Sequence, residues 1–540
     1  MINKRKNITI ILFAAIGFVW LFSACSKNVI TGEDPYAEGK APLGVYFEHL
    51  NRPIPAAKPG DIVQVSLRGT KQYEKEMELF LNEQLCVLQK VTDSTVSFIV
   101  PNQVATGGIK VKIREEIYFG PKVPIDGNVY LDPAFYTSNG FNGPINQLLS
   151  DRANPGNFIA VGTYKIFVNR GFDPSDYDDV ILGGIQRITT EGIASNVPLV
   201  QGIGAVGTIN SIVQRADNKF YVAGPFTQYN KDQVGNLARL NANGSLDTLR
   251  VAVLNDNLAR PYDSFDTVSN FNASLEGGII QKLFLTDRED VIAVGNFTQY
   301  SNIDYTQSTK TIHSKKQILV RNIAKIGVDG KLDLNYNSNN TGTNGTVGSS
   351  VLLPSGKLVV VGNFTSYNGQ PRNRIFALNA DGTLDQGFQI GSGANDEIYS
   401  IFYNSRLNKM VIAGRFTTFN GQPANGVVVL QEDGQIDEQF KFGTTDDRRP
   451  NYAMLMNNSK VVVFGDFENY NNVRRSNLLI LESNGEAKQH FNNMGPIVGR
   501  VSSINEGVTA AGHPCLYISG MINSVDGKNV FNIFKLIVKN

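Results

Sequence analysis

The strongest constraint on this chain is a string that returns again and again between residues 126 and 540. Its clearest copy, residues 361–388, reads VGNFTSYNGQPRNRIFALNADGTLDQGF. Related copies begin at Val222, Val294 (continued by IAKIGVDGKLDLNY from Ile323), Ala413 and Phe464, and shorter ones at Val161 and Ile518. Gly162, Gly224, Gly295, Gly362, Gly414, Gly465 and Gly520 anchor the seven copies at spacings of 51 to 71 residues. A chain written this way folds by repeating one supersecondary unit, which cannot bury its apolar face alone.

Within a copy, SSVLLP leads through Ser355-Gly356 into KLVVVGNFT, the Asn368-Gly369 loop leads into RIFALN, and Asp381-Gly382 turns into TLDQGF. Each run is short, apolar and bounded by Gly, Asn or Asp turns, so the unit predicts four strands. Four strands per period of this length predict a propeller blade, and ring closure would protect the strand edges. The copies resemble the delta-60 repeat propeller family in their G-x-F-T-x-Y-N-G and L-x-x-D-G-x-L-D-x-x-F order. The expected architecture of residues 126–540 is therefore a seven-bladed β-propeller in an all-β chain. The last copy lacks a fourth strand, whereas VYLDPAFY before the first matches it through Leu131, Asp132 and Phe135. Residues 129–136 are expected to close the final blade.

The repeat also settles what NADGTLD is for. Its Asp-Gly becomes Asn-Gly at Asn243-Gly244 and Asn484-Gly485, and the Asp385 position becomes Lys488 in the sixth copy. A turn tolerates those exchanges and a calcium loop does not, so the motif reads as hairpin chemistry. The acidic run Asp173, Asp176, Asp178, Asp179 reads as a solvated loop, and the four histidines show no paired zinc spacing. No metal or cofactor is expected.

Ahead of the repeats, residues 1–24 read as a signal peptide: Lys4, Arg5 and Lys6, then an apolar run from Ile8 to Phe22, then Ser23 and Ala24 before Cys25. The pattern resembles a bacterial lipoprotein signal, with Phe22 where that pattern prefers leucine, and the resemblance implies lipidation of Cys25. The alternative, an uncleaved anchor, needs a longer apolar run. Residues 25–41 read as a tether. Residues 42–125 alternate as strands, and Pro59-Gly60-Asp61, Val100-Pro101 and Gly107-Gly108 resemble the marks of an IPT/TIG domain, an immunoglobulin-like sandwich. The whole order resembles surface lipoproteins of Bacteroidota, which implies an outer-membrane, surface-exposed location.

Lys+Arg 50 against Asp+Glu 49, with no basic stripe, speaks against nucleic acid as a partner. Cys86 and Cys515 lie on apolar strand-like runs and read as buried thiols.

Three insertions interrupt the repeat, at 165–180, 251–276 and 301–321. Alternating strand direction predicts that they lie on the face opposite the tight turns, with the sandwich on the tight-turn face. Candidate ligand or partner residues are Tyr164, Tyr177, Tyr262, Phe265, Tyr300, Tyr305 and His313, because aromatic rings offer contact area at low entropic cost. Packed loop aromatics are the alternative for each. The expected function is non-enzymatic binding of a glycan, peptide or protein by a lipid-anchored surface module, serving a SusC/SusD-type uptake system by resemblance. Two rivals stand beside it. One is a carbohydrate-active hydrolase or lyase at the channel mouth, where Glu397 beside Asp396 is the only acid entering an inner strand. The other is an assembly subunit with no small ligand.

Overall fold

The computed structural model describes residues 43–48, 53–135, 140–168, 183–197, 199, 202–257, 259–260, 264–336, 340–446, 448–475 and 477–539. Two units are distinguished, Met1–Tyr46 and Phe47–Asn540. The described residues are all-β, with only single turns of 3-10 helix, and no helix among them is long and apolar enough to cross a membrane.

Residues 54–125 form two antiparallel sheets. Ile62–Arg68, Thr95–Ile99 and Val87–Val91 pair in that order, and Gln84–Leu85, Met77–Leu81, Gly107–Ile113 and Glu116–Val123 in theirs. Alternate residues such as Val65, Leu67, Leu79, Phe98 and Val111 are buried, as period-two patterning requires. Cys86 and Cys515 are free and buried.

Seven antiparallel sheets follow, one on each anchor glycine; six are three-stranded and the seventh has five strands. In unit four the inner strand Thr346–Leu352, middle strand Leu358–Asn363 and outer strand Ile375–Leu378 pair in order. The other inner strands are Ile145–Ser150, Ser211–Gln214, Ile279–Leu285, Ile398–Asn404, Pro450–Leu455 and Ile497–Val508. In units one to five the expected fourth strand shrinks to a single bridge, such as Leu378 with Leu384. Among the described residues unit seven alone has a paired fourth strand: Val129–Leu131 lies antiparallel to Ile533–Val538, with Leu131 opposite Leu536.

The anchor glycine is required by close approach. In every unit a side chain on it would collide with a backbone carbonyl in the inner strand or just before it, for example that of Thr346 at Gly362 or Glu397 at Gly414. Six of the seven inner strands slip register at that point, as at Val347/Ser349.

The position just past that glycine forms a polar belt joining neighbouring sheets. Gln147, Ser211, Lys282, Ser349, Ser400, Tyr452 and Ser503 each pair with the residue preceding an anchor glycine. Gln147 donates to Ile212 O at 3.0 Å, and Leu283 N donates to Ser211 Oγ at 3.1 Å. Lys282 Nζ donates to Ser350 O at 3.1 Å, Ala453 N to Ser400 Oγ at 3.3 Å, and Leu148 N to Ser503 Oγ at 3.4 Å. The last of these joins unit seven to unit one.

The second half of the repeat wedges units together. Phe226 and Tyr229 are buried among Ile159 and Ile185 of unit one and Leu240 and Leu246 of unit two. Tyr229 Oη donates to Gly244 O at 2.7 Å, Tyr300 Oη to Gly330 O at 2.7 Å, and Tyr470 Oη to Gly485 O at 2.9 Å. Asn368, at φ 49°, turns the hairpin and accepts from Gly342 N at 3.0 Å. The D-G-x-L-D aspartate caps its own turn, as Gly387 N donates to Asp385 at 2.9 Å, and ion-pairs with a neighbouring lysine. Asp385 meets Lys357 at 2.8 Å, Asp333 meets Lys325 at 3.1 Å, and Asp132 meets Lys535 at 2.8 Å. Where Lys488 replaces the aspartate, Lys460 pairs with Glu482 at 2.8 Å instead.

These tyrosine bonds overturn one expectation. The hairpins fold back so that their tips reach the Asp-Gly turns, because an aromatic wedge must lie along the inter-sheet seam to be buried. The 301–321 insertion, which prolongs such a hairpin, therefore sits on the tight-turn side together with the 251–276 segment that meets it, not on the opposite face. The sandwich meets the same side: Gln489 bonds both N and O of Val104, Asn493 Nδ2 donates to Ile125 O at 3.1 Å, and Lys122 meets Asp526 at 2.8 Å.

Candidate functional site

Two regions carry chemistry that the repeat does not consume. The first is built by insertions from units two and three. After Asp247 the chain leaves as a hairpin, Thr248–Val253 against Ser264–Ser269. The second insertion prolongs Gln299–Ile303, turns through Tyr305–Gln307, and returns as Lys315–Leu319. Their tips meet: Leu254 N donates to Ser308 O at 2.7 Å, and Thr311 bonds Asp256 at 3.4 Å.

Glu276 organises the base of this pair. It accepts from Ser301 Oγ at 2.6 Å and from Lys315 Nζ at 2.9 Å, and the Ser301 bond leads the forces that lower its pKa. Lys316 is paired with Asp304 at 2.8 Å. Beside those paired lysines stand exposed apolar side chains. Leu249, Phe265, Ile312, Ile318 and Leu319 are all exposed, Ile312 by 71% and Leu319 by 68%. Arg250 lies over the Phe265 ring at 4.3 Å. Lys315–Leu319 is the edge of its sheet and is exposed at every residue.

The candidates named from sequence separate cleanly here. Phe265 and Tyr305 come together on this pair, the Tyr305 hydroxyl being pushed up to about 12 by burial and then by Asp266. His313 is half-buried just before the edge strand. Tyr164 and Tyr300 are corrected: they are 1% and 2% exposed, and their hydroxyls donate to Ala160 O and Gly330 O at 2.7 Å. Tyr300 is the wedge tyrosine of its unit, and Tyr164 stands where other copies carry the phenylalanine of G-x-F, so both are packed core residues. Cys25, Tyr177 and Tyr262 lie outside the described residues, as does most of the 165–180 insertion.

The second region is the end of the ring at the anchor glycines. Asp396 is held by Arg415 through two bonds of 2.8 and 3.1 Å, and that pairing lowers its pKa. Burial lifts the Tyr399 hydroxyl; Glu397, Asp396 and Asp466 push the same way against Arg415. Sequence reading found Glu397 and Asp396 but missed Arg415 and Asp466. Both occupy the variable position after the anchor glycine, the exposed residue closing each buried middle strand, and that alternation was the available signal. A carboxyl lowered by an arginine is the reverse of a general acid. Among the described residues no cluster suited to a metal ion occurs.

Comparisons with known proteins bear on the fold. The model of a family described as a domain of unknown function (DUF5122) β-propeller matches residues 215–249, 353–388 and 408–440, which lie in units two, four and five. A Bacteroides thetaiotaomicron structural-genomics protein of unknown function aligns at 11% identity over 91% of this chain and 99% of its own, with TM-score 0.24. The Myceliophteria thermophila Cps50 (Swd1) β-propeller domain aligns at 8% identity over 74% and 98%, with TM-score 0.36. The Dos1 propeller aligns at 10% identity over 76% and 95%, with TM-score 0.38. No curated protein matches the sequence. On the repeated sheets and the family match, the repeat region of this chain is a β-propeller.

Proposed function

We propose that the protein is a non-enzymatic binding module of the outer membrane, lipid-anchored at Cys25, in which an IPT/TIG-like sandwich carries a seven-bladed propeller. Seven sheets joined by one polar belt, with Val129–Leu131 completing the last, support the blade count. One observation carries the binding role: the two co-folded insertions expose Leu249, Phe265, Ile312, Ile318 and Leu319 beside an open strand edge. Exposed apolar side chains gathered on one projection mark an interaction surface.

The occupant is a polypeptide partner. A free strand edge offers backbone donors and acceptors to an incoming strand, and the flanking apolar side chains give it specificity. A sugar would want a ring platform, but two of the proposed aromatics are core residues and Phe265 is covered on one face by Arg250. The carbohydrate-active alternative would use Glu397, and the SusC/SusD-type partner rests on resemblance alone.

The test is photo-crosslinking from position 319, with position 383 on a tight turn as control, in cells carrying the full chain. A single outer-membrane protein captured from 319 alone, and lost in Phe265→Ala/Leu319→Glu with unchanged thermal stability, supports the reading. Equal capture from both positions, or glycan binding indifferent to the double variant, overturns it.

A further inference from the structure

Six positions of the polar belt carry serine, glutamine or tyrosine; the seventh carries Lys282. Its side chain is half-buried on the inner strand of unit three and lies 5.4 Å from the centre of the Phe284 ring. An ammonium has three donors, and Lys282 spends one on Ser350 O. Among the described residues no carboxylate pairs with it, and burial alone pulls its pKa down. A cation removed from water without a counter-charge is costly unless something answers it.

The seam between units three and four holds a second unanswered group. Ser350 is 1% exposed and its hydroxyl has no protein partner. Lys282 pairs in register with Val294 and Ser350 with Val360, and both valines belong to one buried cluster between the two sheets. The lysine and the serine therefore face the same seam. At other seams serines in Lys282's own belt position, Ser211, Ser400 and Ser503, accept from the next sheet with their hydroxyls, a role an ammonium cannot take. Two spare ammonium donors and one hydroxyl donor, with a positive charge and no acid beside them, match the needs of an oxyanion.

We infer that the seam of Lys282 and Ser350 binds a small oxyanion, a carboxylate or phosphate group, independently of the insertion surface. Thermal unfolding of the mature protein at pH 7, with sodium chloride replaced by sodium acetate or sodium phosphate at constant ionic strength, tests it. The wild-type midpoint rises with one of the two oxyanions and saturates; the one that acts tells carboxylate from phosphate. Lys282→Met abolishes the rise. Ser350→Ala keeps the charge and needs about tenfold more anion for the same shift, the loss of one hydrogen bond to a charged group. A midpoint indifferent to both anions, or a rise of equal size in both variants, overturns the inference. Ser350→Ala leaves a single methyl-sized change and still reads the site if Lys282→Met does not fold.

Discussion

Replacing Tyr470 by Phe isolates what the repeat's tyrosine contributes. Tyr470 is 1% exposed, and its hydroxyl serves two backbone groups. It donates to Gly485 O at 2.9 Å and accepts from Gly443 N at 2.8 Å. One oxygen thus ties the hairpin of unit six to its own Asn-Gly turn and to the segment arriving from unit five. The ring stays packed in Phe, so only the two bonds are lost. Losing each costs about 1 kcal/mol where water can take its place, and about 2 kcal/mol where the orphaned backbone group stays buried. The expected cost is about 2–4 kcal/mol. Tyr229→Phe breaks a single bond, to Gly244 O, and is expected to cost about half as much. Unit five already carries Phe419, 1% exposed at the same place, which shows that the ring shape is accommodated. Urea unfolding followed by far-ultraviolet circular dichroism gives both values. If Tyr470→Phe costs no more than Tyr229→Phe, the double tie through the Tyr470 oxygen is refuted.

Gly414→Ala puts a methyl into the Glu397 carbonyl and 2.8 Å from Ile398 Cα, so the bulge must open; a loss above about 3 kcal/mol in urea unfolding is expected from such overpacking, and a loss below 1 kcal/mol would show the glycine dispensable. For Lys282, burial lowers the folded pKa to about 8, below its unfolded value. The charge is then a burden below pH 8, and that burden fades as pH rises towards the unfolded value near 10.4. Lys282→Met should therefore gain stability over wild type at pH 7 in chloride buffer, by up to about 3 kcal/mol less the lost Ser350 bond. The gain shrinks to nothing by about pH 10.5; a pH-independent difference would refute the assignment.

How much of this was legible beforehand depends on which residues repeat. The anchor glycines recur in all seven copies, and the Asn-Gly or Asp-Gly turns and the Leu-Asp pair at fixed offsets in most, so local backbone needs are written into the chain repeatedly. NADGTLD could be read as a turn because its aspartate was replaceable, and Asp385 does cap a turn and meet Lys357. The fourth strand was over-read: Leu384 makes one bridge before Asp385 bends the chain away.

The amino-acid order by itself determined the repeat, the all-β class and the tight turns, because period-two burial and positive-φ turns are satisfied within one unit. Only the tertiary structure decided where the hairpins point. Tyr300 looked like a loop aromatic, and no local rule says that a tyrosine will reach a glycine carbonyl thirty residues away. The same holds for the pairing of two insertions, which are separated along the chain by a whole inner and middle strand. It holds too for Lys282, an ordinary strand lysine until a neighbouring sheet packs against it. Each of these is fixed by packing between units, and packing between units is what a single unit's sequence does not contain.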